Sequence, residues 1–402
     1  MQYRLRFFVA FALALFGGRS ASAVEANARS AALASITTEE VTGHVNVLAD
    51  DTFEGRESGT RGNRAAAVYI VERLKKLGLV GGGPRGSFYQ TGNTTNNILA
   101  LVEGRDAGLK DEVILIGGHY DHVGYGTYRN SYGPIGRIHN GADDNASGVA
   151  AVLEVADAVS RLPEKPQRSI LFAFWDGEEK GLLGSKYWID RPTLPVDRVR
   201  LAINVDMVGR LRNSRLEVYG IRTADGLRRL VSRQNDPALA LDFNWDVKPD
   251  SDHYTFFSHD VPFLMLHTGM HDDYHRPSDD VEKINGDGLR QVAQLMFSIV
   301  VELADGPQLG RFRSQSRYES NGARLASQVT LRPPPGRLGI RWDEAAARAG
   351  TIVVAAVVPG SAAAVAGVRP GDRVVKFAGR EVRDEKQFRI AVLAAENPVP
   401  AT

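Results

Sequence analysis

Short, nearly all-apolar runs alternate with segments whose apolar residues recur at helical spacing, from about residue 97 to residue 303. The runs at 97–102, 113–116, 169–175, 201–205 and 262–266 predict strands, and the segments at 149–162 and 286–303 predict helices. Strands that are apolar at successive positions belong in a sheet covered on both faces. The alternation therefore predicts an α/β unit with a mixed, mostly parallel central sheet between helical layers. Sheets of this kind place functional loops at the carboxyl ends of their strands. Upstream, residues 35–79 read as helices around a turn, with a glycine-punctuated loop from Gly55 to Gly62. Ala66, Ile70, Leu74 and Leu77 mark one helix face over 65–77, and Gly78 supplies its stop. Gly81-Gly82-Gly83-Pro84 reads as a loop and not a phosphate cradle, because no strand precedes it and no Lys-Ser/Thr pair follows.

The pattern changes twice more. Residues 305–335 are polar, rich in Arg and Ser, and end in Pro333-Pro334-Pro335, which reads as a linker with a short strand at 328–331. A second, small β-rich unit follows over 336–402. At the other end, Arg4 and Arg6 precede an apolar stretch over 7–16 and the small residues Ala21-Ser22-Ala23. That is the pattern of a secretory signal over 1–23, with cleavage after Ala23, and it places the mature chain outside the cytoplasm, secreted or periplasmic. The competing reading, a membrane anchor, meets an apolar run too short to span a bilayer comfortably. The first large unit then covers 24–304.

Composition narrows the chemistry. With no cysteine in 402 residues, disulfides, thiolate metal sites and a cysteine-linked lipid are excluded, so any metal must be held by His, Asp and Glu. A formal net charge of +1 gives no electrostatic case for nucleic acid, and no later segment resembles a transmembrane helix.

Five places then stand out: His119, Asp144, the pair Glu178-Glu179, Asp206 and His275. Each follows or closes a predicted strand, or opens the helix at 149. Taken singly, each has an ordinary reading as a loop residue, turn or helix start. Together they fit a hydrolytic two-metal site, which needs several carboxylates and imidazoles, one carboxylate between ions roughly 3.5–4 Å apart, and another left free to take a proton from water.

The segment from Leu48 to about Leu303 resembles the M28 family of zinc peptidases, which includes secreted bacterial aminopeptidases. The resemblance rests on His119-Tyr120-Asp121, the run Gly141 to Gly148, Gly177-Glu178-Glu179-Lys180-Gly181, Asn204-Val205-Asp206-Met207, Ser251-Asp252-His253 and Tyr274-His275, in family order. It implies the zinc-peptidase fold and two zinc ions. His119 and Asp206 would hold one, Glu179 and His275 the other, with Asp144 bridging across a cis peptide to Asn145. Glu178 would be the general base and Tyr274 the oxyanion donor. Asp121 would orient His119, and Asp279 would orient His275. Asp143 and Ser251-Asp252-His253 read as structural. The Gly- and Tyr-rich loop over 124–133 reads as a lid or an ordinary surface loop, and its flanking His122 and His139 as non-ligands. The implied activity is that of an exported aminopeptidase acting on peptides with a free amino terminus. Three alternatives stand beside it: a carboxypeptidase-like or deacylating amidohydrolase, a single-zinc glutaminyl cyclase, and a non-catalytic peptide-binding protein.

The C-terminal unit resembles a PDZ domain, through Arg337-Leu338-Gly339-Ile340, a β-rich stretch at 351–358 and Ala366-Gly367-Val368-Arg369-Pro370-Gly371-Asp372. The resemblance implies that Leu338, Gly339 and Ile340 would receive a peptide's terminal carboxylate while the peptide adds a strand. A helix falls at 385–395, and the final strand of the family is missing or supplied by 328–331.

Overall fold

The computed structural model describes residues 26–237, 239–306, 309–330 and 338–394. The proposed signal segment, the triple proline, Leu331 and residues 395–402 lie outside them.

The core of the first unit is a nine-stranded sheet in the order β1-β3-β5-β4-β6-β9-β7-β8, with β2 paired to β3. These are β1 Val80–Gly81, β2 Tyr89–Thr91, β3 Asn96–Val102, β4 Val113–His119, β5 Ser169–Trp175, β6 Val199–Val205, β7 Arg215–Tyr219, β8 Ala240–Phe243 and β9 Phe263–His267. The four central strands, β5, β4, β6 and β9, are mutually parallel. Antiparallel pairs flank them on both sides.

Alternate residues of each central strand enter separate cores, as a pleat requires. Ile114, Ile116, Phe172, Phe174, Leu201 and Ile203 pack in one with α1 (Thr38–Leu48), α2 (Arg61–Lys76), α3 (Gly148–Ser160) and α7 (Gly286–Asp305). Val113, Leu115, Leu171, Ala173, Trp175 and Ala202 pack in the other with Trp188 of α4 (Leu183–Asp190) and Phe256 of α6 (His253–Ser258). Every residue of β4 and β5 is buried, which is why neither strand shows apolar/polar alternation in the sequence. The five expected strands and two expected helices are all present, with ends shifted by up to three residues. Elements absent from the sequence reading include β7, β8 and the helices α4, α5 (Leu227–Gln234) and α6. β8 is only partly covered, and its residues Ala-Leu-Asp-Phe carry no long apolar run.

Beyond α7 the chain remains bound to this unit. The Glu319 carboxylate accepts hydrogen bonds from Arg222 and Arg313, and helix α8 (Asn321–Thr330) starts where the Asn321 N–H and side chain meet Asp246. The strand expected at 328–331 is corrected here: residues 328–330 are helical, so they supply no strand to the C-terminal unit.

That unit contains β10 (Ile340–Trp342), α9 (Glu344–Arg348), β11 (Ile352–Val357), α10 (Ala362–Val365), β12 (Arg373–Val374), the hairpin β13 (Lys376–Phe377) and β14 (Arg380–Glu381), and α11 (Glu385–Ala394). Its small core gathers Ala347, Ile352, Val382 and Phe388. Gly339 has a φ of +70°, and its carbonyl accepts the Val358 N–H. No helix among the described residues is long and apolar enough to cross a membrane.

Candidate metal centre

The parallel central strands bring their carboxyl ends to one edge of the sheet. His119 closes β4 opposite Trp175 of β5, and Glu178 and Glu179 lie in the turn just after β5. Asp206 follows β6 directly, and the segment carrying Tyr274 and His275 follows β9. Asp144 lies in the tight turn that opens α3, and the Asp144-Asn145 peptide is cis.

Two groups of donor atoms form there and share Asp144. In the first, His119 Nε2 is 3.3 Å from Asp144 Oδ1 and 3.4 Å from Asp206 Oδ1. In the second, His275 Nε2 is 3.2 Å from Asp144 Oδ2 and 3.0 Å from Glu179 Oε2, and His122 Nδ1 is 2.9 Å from Glu179 Oε1. Asp206 Oδ1 and His275 Nε2 are buried without a geometrically sound hydrogen bond despite these short approaches. Lone pairs converging without shared hydrogens are what a cation site requires, and the nitrogen/oxygen donor set suits zinc. His119 Nδ1 faces the Asp121 carbonyl at 3.1 Å. A carbonyl can only accept, so Nδ1 carries the hydrogen and Nε2 keeps the lone pair that faces the site.

Three side chains build this edge from behind. Arg56 is buried and donates to the carbonyls of Leu48, Tyr120, Asn140 and Gly141, joining the end of β4 to the Asp144 turn. Burial pushes its guanidinium down to about 10, while Asp144 and Asp121 oppose that shift. Asn145 donates to the Val205 carbonyl and accepts from the N–H groups of Gly148 and Met207, tying the Asp144 turn to the Asp206 turn. Gly118 makes room for this, since a Cβ there would lie 2.6 Å from the Val205 carbonyl oxygen. Asp279 accepts the N–H groups of Asp143 and Asp144 and a hydrogen bond from Arg210. It therefore positions the shared carboxylate through the backbone, a different contact from the expected one to His275. Asp121 does contact His119, with its carbonyl 3.1 Å and its carboxylate 3.7 Å from Nδ1, and that carboxylate also accepts the Glu178 N–H.

Glu178 belongs to neither donor group. Burial raises its carboxyl well above the usual range, with Glu179, Asp206 and Asp252 adding to the shift and His119 opposing it. Tyr274 stacks on His275 with ring centroids 3.9 Å apart. Burial, then Asp144 and Glu179, push its phenol far up. Burial pulls the His275 imidazole down, but the close carboxylates of Asp144 and Glu179 outweigh it and bring the group up to about 11.

All seven residues singled out in the sequence therefore meet at this edge. His122, set aside earlier as a non-ligand, sits inside the second donor group; its position three residues past His119 was the only available signal. His139 is engaged by Ser131 and the Arg137 carbonyl. His253 packs on Phe263 with centroids 4.9 Å apart, and burial takes it down to about 4, as befits a neutral core imidazole. Asp252, read as structural, is fully buried, with a carboxyl that burial raises to about 6, and it shares His119 and Asp206 with Glu178 as charged neighbours. The loop over 124–137 is anchored to the site, because the Tyr132 N–H and Ser131 hydroxyl both donate to the His275 carbonyl.

An open α/β sheet with clustered His and carboxylate donors at its carboxyl edge defines a metallohydrolase-type architecture. Residues 97–300 match the model for peptidase family M28, and residues 353–399 match a PDZ domain. The chain belongs to peptidase family M28 and carries a PDZ domain at its C-terminal end. Among curated proteins it is 29% identical over 245 residues to leupeptin-inactivating enzyme 1 of Streptomyces exfoliatus, covering 60% of this chain and 50% of that one. It is 27% identical over 223 residues to aminopeptidase YwaD of Bacillus subtilis, covering 53% and 45% respectively. The chain thus spans about half the length of these relatives. Its fold is shared with a Zn-dependent exopeptidase from Parabacteroides distasonis, at a TM-score of 0.54 and 19% identity, covering 67% of this chain and 99% of that one.

Proposed function

We infer that the protein is an exported di-zinc aminopeptidase. The observation that carries this reading is the pair of donor groups sharing Asp144, with the carboxylate of Glu178 beside them and outside both. His119 and Asp206 would hold one ion, Glu179 and His275 the other, and Asp144 both. When bound, such ions supply a water of lowered pKa and Lewis-acid polarisation of the scissile carbonyl.

The chain's own residues supply the rest. Glu178, held by the Asp121 contact to its backbone, takes a proton from the attacking water and returns it to the leaving amine. Tyr274 keeps its phenolic hydrogen and donates it to the developing oxyanion. Tyr132, 64% exposed and held against Tyr274 and His275, offers an aromatic wall at the mouth for the substrate's first side chain. The signal segment at 1–23 would export the chain, and the PDZ unit would bind a C-terminal peptide through Leu338, Gly339 and Ile340.

A panel of free-amine and N-blocked peptides, each with and without chelator, tests the reading. Chelator-sensitive release of N-terminal residues from the free-amine set is the expected result. Cleavage confined to blocked peptides would instead favour a deacylating amidohydrolase.

A further inference from the structure

His122 is the one member of the two donor groups with no role in the mechanism above. Its imidazole is 1% exposed, with Nδ1 2.9 Å from Glu179 Oε1 and 3.7 Å from Asp144 Oδ2. The other oxygen of Glu179 faces His275 Nε2 at 3.0 Å. Glu179 is thus flanked by two imidazoles, one at each oxygen. Their rings are nearly perpendicular, at 83°, with centroids 5.5 Å apart. Space for the His122 ring comes from Gly141, where a Cβ would lie 2.5 Å from His122 Cδ2 and where φ is +57°.

We propose that His122 is a positioning residue for the second metal position: its Nδ1–H donates to Glu179 Oε1 and leaves Oε2 as the oxygen presented to the ion. The tautomer follows from the other end of the ring. His122 Nε2 is buried and has no hydrogen-bond partner. If Nδ1 were a metal ligand, a neutral ring would carry its hydrogen on Nε2, where nothing accepts it. Buried N–H groups without acceptors are rarer in native proteins than unfilled acceptors. With the hydrogen on Nδ1, the short contact to Glu179 is a hydrogen bond and Nε2 is merely an unused acceptor. A carboxylate fixed in this way loses the freedom to swing both oxygens onto the ion, so its orientation is set before binding. Partners of this type typically change metal affinity by about 10- to 100-fold.

The proposal rests on the reading that Glu179 and His275 hold an ion, and the test separates the two. Zinc alone is titrated against a chromophoric chelator, using wild type, His122→Ala, His122→Gln and His122→Asn, each with its thermal unfolding recorded. An Asn amide N–H falls close to the place of Nδ1–H, whereas a Gln amide reaches toward Nε2. The expected result is a second zinc equivalent weakened about 10- to 100-fold in the Ala and Gln variants. In the Asn variant it should return to within about threefold of wild type, with the first equivalent unchanged throughout. Wild-type affinity in both the Ala and Gln variants would overturn the proposal, as would an Asn variant as weak as Ala, the signature of a direct ligand. If wild type takes up only one equivalent, the di-metal reading itself fails and the proposal with it. If His122→Ala does not fold, the contrast between Asn and Gln decides alone.

Discussion

The backbone N–H of Glu178 donates to the carboxylate of Asp121 across 3.1 Å. The two residues lie just beyond the ends of adjacent parallel strands, so this bond fixes one strand's exit turn against the other's. Asp121 thus acts on the proposed base through its carboxylate and on His119 through its carbonyl.

Replacing Asp121 with Ala keeps its carbonyl and removes the acceptor for Glu178. We expect kcat to fall about 10- to 100-fold, the usual cost of losing such a supporting contact, with both zinc equivalents retained. Steady-state kinetics alongside metal analysis checks this. Loss of zinc would mean that the carboxylate serves the ligands instead.

Glu178→Gln removes the proton acceptor and keeps the shape. Activity on free-amine peptides should drop by about 10²- to 10⁴-fold, while metal content stays at the wild-type level. Near-full activity would end the assignment of Glu178 as base.

Arg56 satisfies four backbone carbonyls from a buried position. Arg56→Met leaves those acceptors bare next to Asp144 and Asp121. Breaking a buried charged network of this kind costs about 3–5 kcal/mol, readable as a lower denaturation midpoint in urea. A loss under about 1 kcal/mol would show that other donors replace the guanidinium.

Hydrogen bonds from Arg222 and Arg313 hold the Glu319 carboxyl down at about 2, below its ordinary 4.5. A depressed carboxylate contributes stability that is fully present above the unfolded value and lost as pH falls from 4.5 toward 2. Glu319→Gln should therefore lower Tm by about 1–3 °C at pH 7, a modest effect because the pair is partly solvated. The gap should shrink at pH 3. A gap that persists unchanged at low pH would mean the Arg contacts act through packing and not charge.

The apolar runs determined the central strands, because a fully buried strand must be apolar at every position whatever it pairs with. The same logic singled out His119, Asp144, Glu178, Glu179, Asp206 and His275, since strand ends of a parallel sheet converge, and the family resemblance added Tyr274. Sequence adjacency made Asp121 look like a partner of His119, which it is, and Asp279 look like a partner of His275. Only the folded chain shows that Asp121 serves Glu178 and that Asp279 holds the backbone of Asp143 and Asp144. Arg56 carried no readable signal and His122 only its closeness to His119, because the partners that matter lie far off in sequence: Gly141 is 85 residues from Arg56, and Glu179 is 57 from His122. Local pattern records which faces are buried. Which polar groups meet across a sheet edge depends on strand order and register, and those exist only once the chain has folded.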